Sequence, residues 1–126
     1  MVSPYSDMAD IISAEYEEKN MKVYLSGPIT GTEDYRDRFA HCESRLRREW
    51  SGNRNGELEV VNPAKLEHII PKSASYEEIM KICFDLLQIC DGIMMMPGWK
   101  DSRGCNQEYG FARALRKEIY EWEEWF

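Results

Sequence analysis

Hydrophobic spacing changes character several times along the chain. Lys22-Val23-Tyr24-Leu25 is a β-prone run that stops at Ser26-Gly27-Pro28, a break no helix tolerates, and predicts a first strand followed by a turn. Behind Thr32, Glu33 and Asp34, the residues Phe39, Cys42, Leu46 and Trp50 recur every three or four positions and predict a helix. The polar residues 51–57 read as a loop, and Leu58-Glu59-Val60-Val61 as a second strand halted by Asn62-Pro63. Residues 64–73 look irregular. From the capping residue Ser75, Ile79, Ile82, Cys83, Leu86, Leu87 and Cys90 hold helical register to about Asp91. Gly92-Ile93-Met94-Met95-Met96 is an uninterrupted apolar run, the pattern of a central parallel strand buried on both faces, and Pro97-Gly98 ends it. A third helix over residues 105–117 and an edge strand at Ile119 and Tyr120 complete the series.

Strands alternating with helices predict an α/β three-layer sandwich: an open parallel sheet of four to five strands with helices on both faces, flavodoxin- or Rossmann-like. The 126 residues suit one core. Residues 1–20 read as an acidic arm or a capped helix, with Ser6 ahead of Met8, Ile11, Ile12 and Tyr16. Residues 21–120 form the domain and residues 121–126 an acidic, aromatic tail.

Composition narrows the function. A 43% hydrophobic and 31% charged chain belongs with folded globular proteins. The formal charge of −7 argues against a grip on polymeric nucleic acid or an anionic membrane. Residues 1–20 carry −4 and residues 118–126 another −4, so residues 21–117 are left at +1, which is compatible with a small phosphorylated ligand. No apolar run approaches a membrane span, and the acidic start lacks the features of a secretory signal, so the expected location is the cytoplasm. Cys42, Cys83, Cys90 and Cys105 show no CxxC spacing, and His41 and His68 stand at no ligand spacing from them. Reduced buried thiols are expected, with no metal and no cofactor.

In open parallel sheets ligands bind beyond the carboxyl ends of the strands. Two loops qualify: Ser26-Gly-Pro-Ile-Thr-Gly-Thr32, rich in glycine and hydroxyls, and Gly98-Trp-Lys-Asp-Ser-Arg-Gly104, which opens the helix carrying Glu108. Both should face one crevice. GxxxxGK[ST] and GxGxxG are absent, which disfavours the usual ATP and dinucleotide chemistries. Glu108, one turn into its helix, is expected to be kept ionised by the helix dipole and free amides.

Residues 21–120 resemble the nucleoside 2-deoxyribosyltransferase-like superfamily, most closely its small, often phage-encoded members. The resemblance rests on Tyr24-Leu-Ser-Gly-Pro-Ile-Thr-Gly31, on Cys90-Asp91, and on Gly98-Trp99 to Ser102-Arg-Gly104 followed by Glu108-Tyr-Gly-Phe-Ala112. It implies that Glu108 attacks the anomeric carbon of a 2′-deoxynucleoside 5′-monophosphate and expels the base. A covalent deoxyribosyl-enzyme is left for water or a second base, the two-step logic of retaining glycosidases.

By the same resemblance Tyr24 holds the sugar or the nucleophile, and Ser26, Gly27, Pro28, Thr30 and Gly31 line the sugar and phosphate side. Ser102 matches the superfamily's phosphate-binding position. From the residues themselves, Arg103, Lys100 and Arg36 are expected to add positive charge near the crevice, Gly104 to line the substrate site, and Trp99 to stack on a base or cover the pocket. Asp91 is assigned to ending the second helix and anchoring the strand. One position departs from the pattern: Cys83 stands where superfamily members carry the Asp that protonates the leaving base.

The residues and the resemblance therefore predict a hydrolase or transferase of N-glycosidic bonds, with a catalytically weak or inactive nucleotide-binding or sensing module as the alternative. An interaction protein using its C-terminal tail is a third reading. A homodimer or higher homo-oligomer is expected, with the tail able to pack on a partner subunit.

Overall fold

The structure, a computed structural model, describes residues 20–29, 33–53 and 56–125. Most of the predicted N-terminal arm, together with Thr30, Gly31 and Thr32 of the first loop, lies outside the described residues. Strand β1 (Met21–Ser26) leads to helix α1 (Tyr35–Asn53), strand β2 (Leu58–Val61), helix α2 (Tyr76–Gln88), strand β3 (Gly92–Met95), helix α3 (Arg103–Ala114) and strand β4 (Glu118–Glu121). Every pairing is parallel and the strand order is β2-β1-β3-β4. The predicted α/β architecture is present, with four strands. No helix among the described residues is long and apolar enough to cross a membrane.

Pleating sorts the two faces. Val23, Leu25, Met94 and Met96 pack with Phe39, Cys42 and Leu46 of α1. Tyr24, Ile93 and Met95 pack with Leu87, Cys105 and Ala112 of α2 and α3. Successive strand residues point to opposite faces, so β3, buried on both, is apolar throughout.

Element ends differ from the sequence expectation in instructive ways. Helix α1 runs through residues 51–53, because Trp50 is buried and carries the last turn past the glycine and asparagine that suggested a loop. Helix α2 starts as predicted, with Ser75 and Glu78 forming a reciprocal capping box, but stops at Gln88. Helix α3 starts at Arg103, two residues early, because Ser102 Oγ accepts the Cys105 amide, and it ends at Ala114, ahead of the left-handed Arg116 (φ 58°). Residues 63–66 form a 3₁₀ turn behind Asn62, whose side chain accepts the Ala64 amide at 3.0 Å. Asp91 anchors the sheet as expected: its carboxylate accepts the Lys22 amide at 2.8 Å and its own amide donates to Lys22 O at 2.8 Å.

Trp122 and Trp125 pack on their own domain. The Trp122 amide donates to Met95 O at 3.0 Å, its ring is 8% exposed, and the Arg45 guanidinium lies 4.2 Å from the ring centroid. Arg45 also donates to Glu124 O at 2.9 Å, and Arg38 sits 5.4 Å from the Trp125 ring. Trp122 thus closes the α1 face of the core. Trp122→Ala is expected to lower unfolding stability by about 3 kcal/mol in a urea titration; a loss below about 1 kcal/mol would show that the segment merely lies on the surface.

Candidate active site

The strand order reverses direction between β1 and β3, the place where an open parallel sheet leaves a crevice at its carboxyl end. Alternation along β1 puts Tyr24 and Ser26 on the α3 face, and Glu108 of α3 meets both. The Tyr24 hydroxyl donates to Glu108 Oε2, and Ser26 Oγ donates to Oε1 at 2.7 Å. Ser26 therefore holds the carboxylate directly, a closer role than lining the sugar side.

Glu108 is 6% exposed, and burial pushes its carboxyl up to about 7, although both hydroxyl donors pull it down. This corrects the expectation that the helix dipole keeps it ionised. The carboxyl lies more than a full turn inside α3, where the free amides are out of reach and desolvation outweighs the dipole. Tyr24, fully buried, is pushed well above 10 by burial and by the Glu108 charge, so it remains a donor. Cys83 lies beside Tyr24, and burial lifts its thiol to about 11.

The two loops face one crevice. A cleft of about 540 Å³ is lined by Pro28 from the first loop, by Gly98, Ser102, Arg103 and Gly104 from the second, and by Tyr76 of α2. Gly98 has φ +84°, a left-handed conformation open to glycine, and this turns the chain from β3 into the loop. Gly27 packs so closely on Met96 that a Cβ there would lie 2.6 Å from its sulfur. Pro28 O accepts from Arg38 at 3.4 Å, which ties the first loop to α1. The N-terminus of α3 opens into the cleft with Ser102 as its cap, and Arg103 lies 4.6 Å from the Tyr76 ring centroid. Free helix amides, a hydroxyl and a guanidinium make an anion-binding corner.

Other candidates sit elsewhere. Trp99 is 8% exposed, its indole donates to Glu121 at 2.8 Å and its ring packs on Tyr109, so it belongs to the core beneath the loop. Arg36 pairs with Glu67 at 2.5 Å, outside the cleft, and the Lys100 ammonium lies 4.0 Å from Glu121. The exposed Asp85 faces away from Glu108. Among the described residues, no group of three or more His, Cys, Asp or Glu is placed to hold a metal.

Two contributors escape sequence reasoning. Tyr76 lines the cleft and donates to Gln107 at 2.7 Å; its only signal is an aromatic directly after the cap Ser75. Asn106 Nδ2 donates to Lys100 O at 2.9 Å and Ser102 O at 2.8 Å, pinning the second loop.

A second cavity, about 300 Å³, adjoins the first. Ile29, Tyr35, Ile79, Ile82 and Cys83 are among its walls.

A profile described as a domain of unknown function (DUF4406) matches residues 21–121. No curated protein matches the chain. Among solved structures, the Clostridium botulinum CMP N-glycosidase BcmB is similar at a TM-score of 0.52 and 23% identity, over 79% of this chain and 69% of that one. At that identity the likeness is one of fold: an open parallel α/β sheet with helices on its faces.

The raised Glu108 carboxyl sets a stability profile. Its ordinary value is 4.5 and its folded value about 7, so folding keeps the proton that the unfolded chain releases between those pH values. Stability is fully present below pH 4.5 and falls as pH rises to 7. The shift corresponds to about 3 kcal/mol. Glu108→Gln, which carries no charge, should gain about that much relative to the parent between pH 4.5 and pH 8 in denaturant titrations; a pH-independent difference would contradict the assignment.

Proposed function

We propose that this chain, which belongs to the DUF4406 family, cleaves or transfers the N-glycosidic bond of a nucleoside 5′-monophosphate, in its fuller form a 2′-deoxynucleoside 5′-monophosphate. One observation carries the reading: a buried carboxylate, held on both oxygens by hydroxyl donors, on the same helix whose N-terminus, with Ser102 and Arg103, opens into a cleft.

In this mechanism the phosphate lies at Ser102, the first amides of α3 and Arg103. This fixes the sugar, with Gly27 on its side. A Glu108 oxygen attacks C1′, and the electrons of the C1′–N bond leave with the base. Tyr24 and Ser26 keep the carboxylate in line for attack and disperse its charge. Water, or an acceptor base, then bonds to C1′; the C1′–Oε bond breaks and the carboxylate returns. Likeness to a CMP N-glycosidase supports a nucleotide over a free nucleoside, and keeps ribose beside deoxyribose in the test.

A second reading, a nucleotide-binding module without turnover, is favoured by one observation: the group beside Tyr24 is the Cys83 thiol, lifted to about 11 and a poor general acid.

Incubation with ribo- and deoxyribonucleoside monophosphates, read by chromatography of released base, decides between them. Glycosidase activity should fall at least about 10³-fold in Glu108→Ala. Since attack needs the ionised carboxylate, kcat/KM should rise with pH through about 7 and then level off. Tight nucleotide binding by calorimetry, with no base released from any substrate, would establish the binding module.

A further inference from the structure

Two cavities differ in chemistry, one at the N-terminus of the helix that carries Glu108 and one walled in part by Cys83, the neighbour of Tyr24. The first presents Ser102, Arg103 and the α3 amides to an anion. The second is walled mainly by aliphatic side chains, with Ile29, Ile79 and Ile82 among them. They are neighbours: Pro28 lines the first and Ile29 the second, while Tyr76 and Ile79 stand one turn apart on α2. Cys83 belongs to the second cavity and lies beside Tyr24, the donor to Glu108. A nucleotide with its phosphate in the first cavity and C1′ against Glu108 therefore extends its aglycone into the apolar one.

The ionisable groups on that cavity wall, among the described residues, are Tyr35, Glu67, Lys72 and Cys83. Glu67 is kept below the usual carboxylate range by hydrogen bonds from Tyr35 and from Arg36, so it stays an anion. Burial raises Tyr35 and lifts Cys83 to about 11, so neither readily yields a proton at neutral pH. Lys72 is exposed at the rim. Among the described residues of this wall, none is a carboxylic acid or imidazole free to protonate a departing nitrogen. A neutral pyrimidine or purine, which leaves well only when protonated, gains little help here.

Resting on the nucleotide-cleaving reading above, we propose that the site prefers a nucleoside 5′-monophosphate whose aglycone is already quaternised at the glycosidic nitrogen, a pyridinium-type ring that departs as a neutral molecule. The step balances without an acid. Glu108 Oε bonds to C1′ as the C1′–N⁺ bond breaks, and its electron pair neutralises the ring nitrogen. Water then bonds to C1′ and releases its proton to solvent, and the carboxylate is restored.

Apolar walls favour this direction. The cation is poorly solvated among Ile29, Ile79 and Ile82, while the neutral ring that forms is at home there. Positive charge moves toward the sugar, where the Glu108 carboxylate meets it.

The test offers the full chain nicotinamide mononucleotide, CMP, dCMP and UMP separately, and reads kcat/KM from the released base. The pyridinium nucleotide should be cleaved at least about 10²-fold faster than CMP or dCMP, the low end of what a general acid supplies. Cys83→Asp, which places a carboxyl at the aglycone, should narrow that ratio by about 10²-fold by raising cytosine release. Glu108-dependent cleavage of CMP, dCMP or UMP at a rate equal to the pyridinium nucleotide overturns this preference and leaves the glycosidase reading standing. No base released from any of the four overturns both. A ratio unchanged in folded Cys83→Asp overturns the assignment of the preference to this wall.

Discussion

A carboxyl group buried between a strand and a helix must be solvated by protein, and the contact of Glu108 with Tyr24 and Ser26 does this. The arrangement is balanced: desolvation raises the affinity for a proton, and two hydroxyl donors lower it. Without the donors the group would stay protonated through the neutral range and be no nucleophile. Without the burial it would be an ordinary, well-hydrated anion with little reason to attack. Much of the architecture serves this contact. Ser102 starts α3 at Arg103, which sets the turn on which Glu108 faces the sheet, and Asp91 ties the start of β3 to Lys22 at the base of β1.

Pleating then divides the labour between the faces of the sheet. Val23, Leu25, Met94 and Met96 are committed to α1, where Phe39, Cys42, Leu46 and Trp122 fill the space with no carboxyl among them. That face is scaffold. The alternate residues Tyr24 and Ser26 project toward α2 and α3, where the carboxyl and the thiols of Cys83, Cys90 and Cys105 sit among apolar neighbours. A one-residue slip of β1 would exchange these sets, removing both donors from Glu108 and placing Val23 and Leu25 there. The register Tyr24↔Ile93 and Ser26↔Met95 is therefore a requirement of the site as well as of the core.

How much could be read in the sequence follows from how local each signal is. The capping box at Ser75 and Glu78, the apolar run of β3 and the break after Ser26 depend on neighbours within a few residues, and each element lies where its pattern places it. The grouping of Tyr24, Ser26 and Glu108 was legible through the resemblance, since it depends on pairing across more than 80 residues that spacing alone does not encode. What stayed hidden is non-local and chemical. Burial of Glu108 decides its protonation, and burial is a property of the packed fold. Trp99 looks like a stacking platform in a glycine-rich loop, yet Glu121 and Tyr109, distant in sequence, claim its ring for the core. Tyr76 and Asn106 carry no motif; they matter because α2 and α3 pack side by side and because one amide side chain can reach several loop carbonyls.

The acidic charge of the whole chain is a poor guide to what its cleft can bind. Charges farther apart than about 8 Å are largely screened at physiological ionic strength, so the field in the cleft is set by groups within that distance. There the chain offers the first amides of α3, the Ser102 hydroxyl and Arg103, held over the Tyr76 ring. The nearest cleft acid, Asp101, is exposed and is solvated by water. Glu121, another acid of the neighbourhood, is occupied by the Trp99 indole, with Lys100 close by. Along the sequence the net negative charge comes from residues 1–20 and 118–126, at −4 each, while residues 21–117 sum to +1. An anion approaching the α3 terminus thus meets the helix amides, a hydroxyl and a guanidinium, with Asp101 the one acid among the described residues of the cleft wall, and the net −7 still opposes a long polyanion.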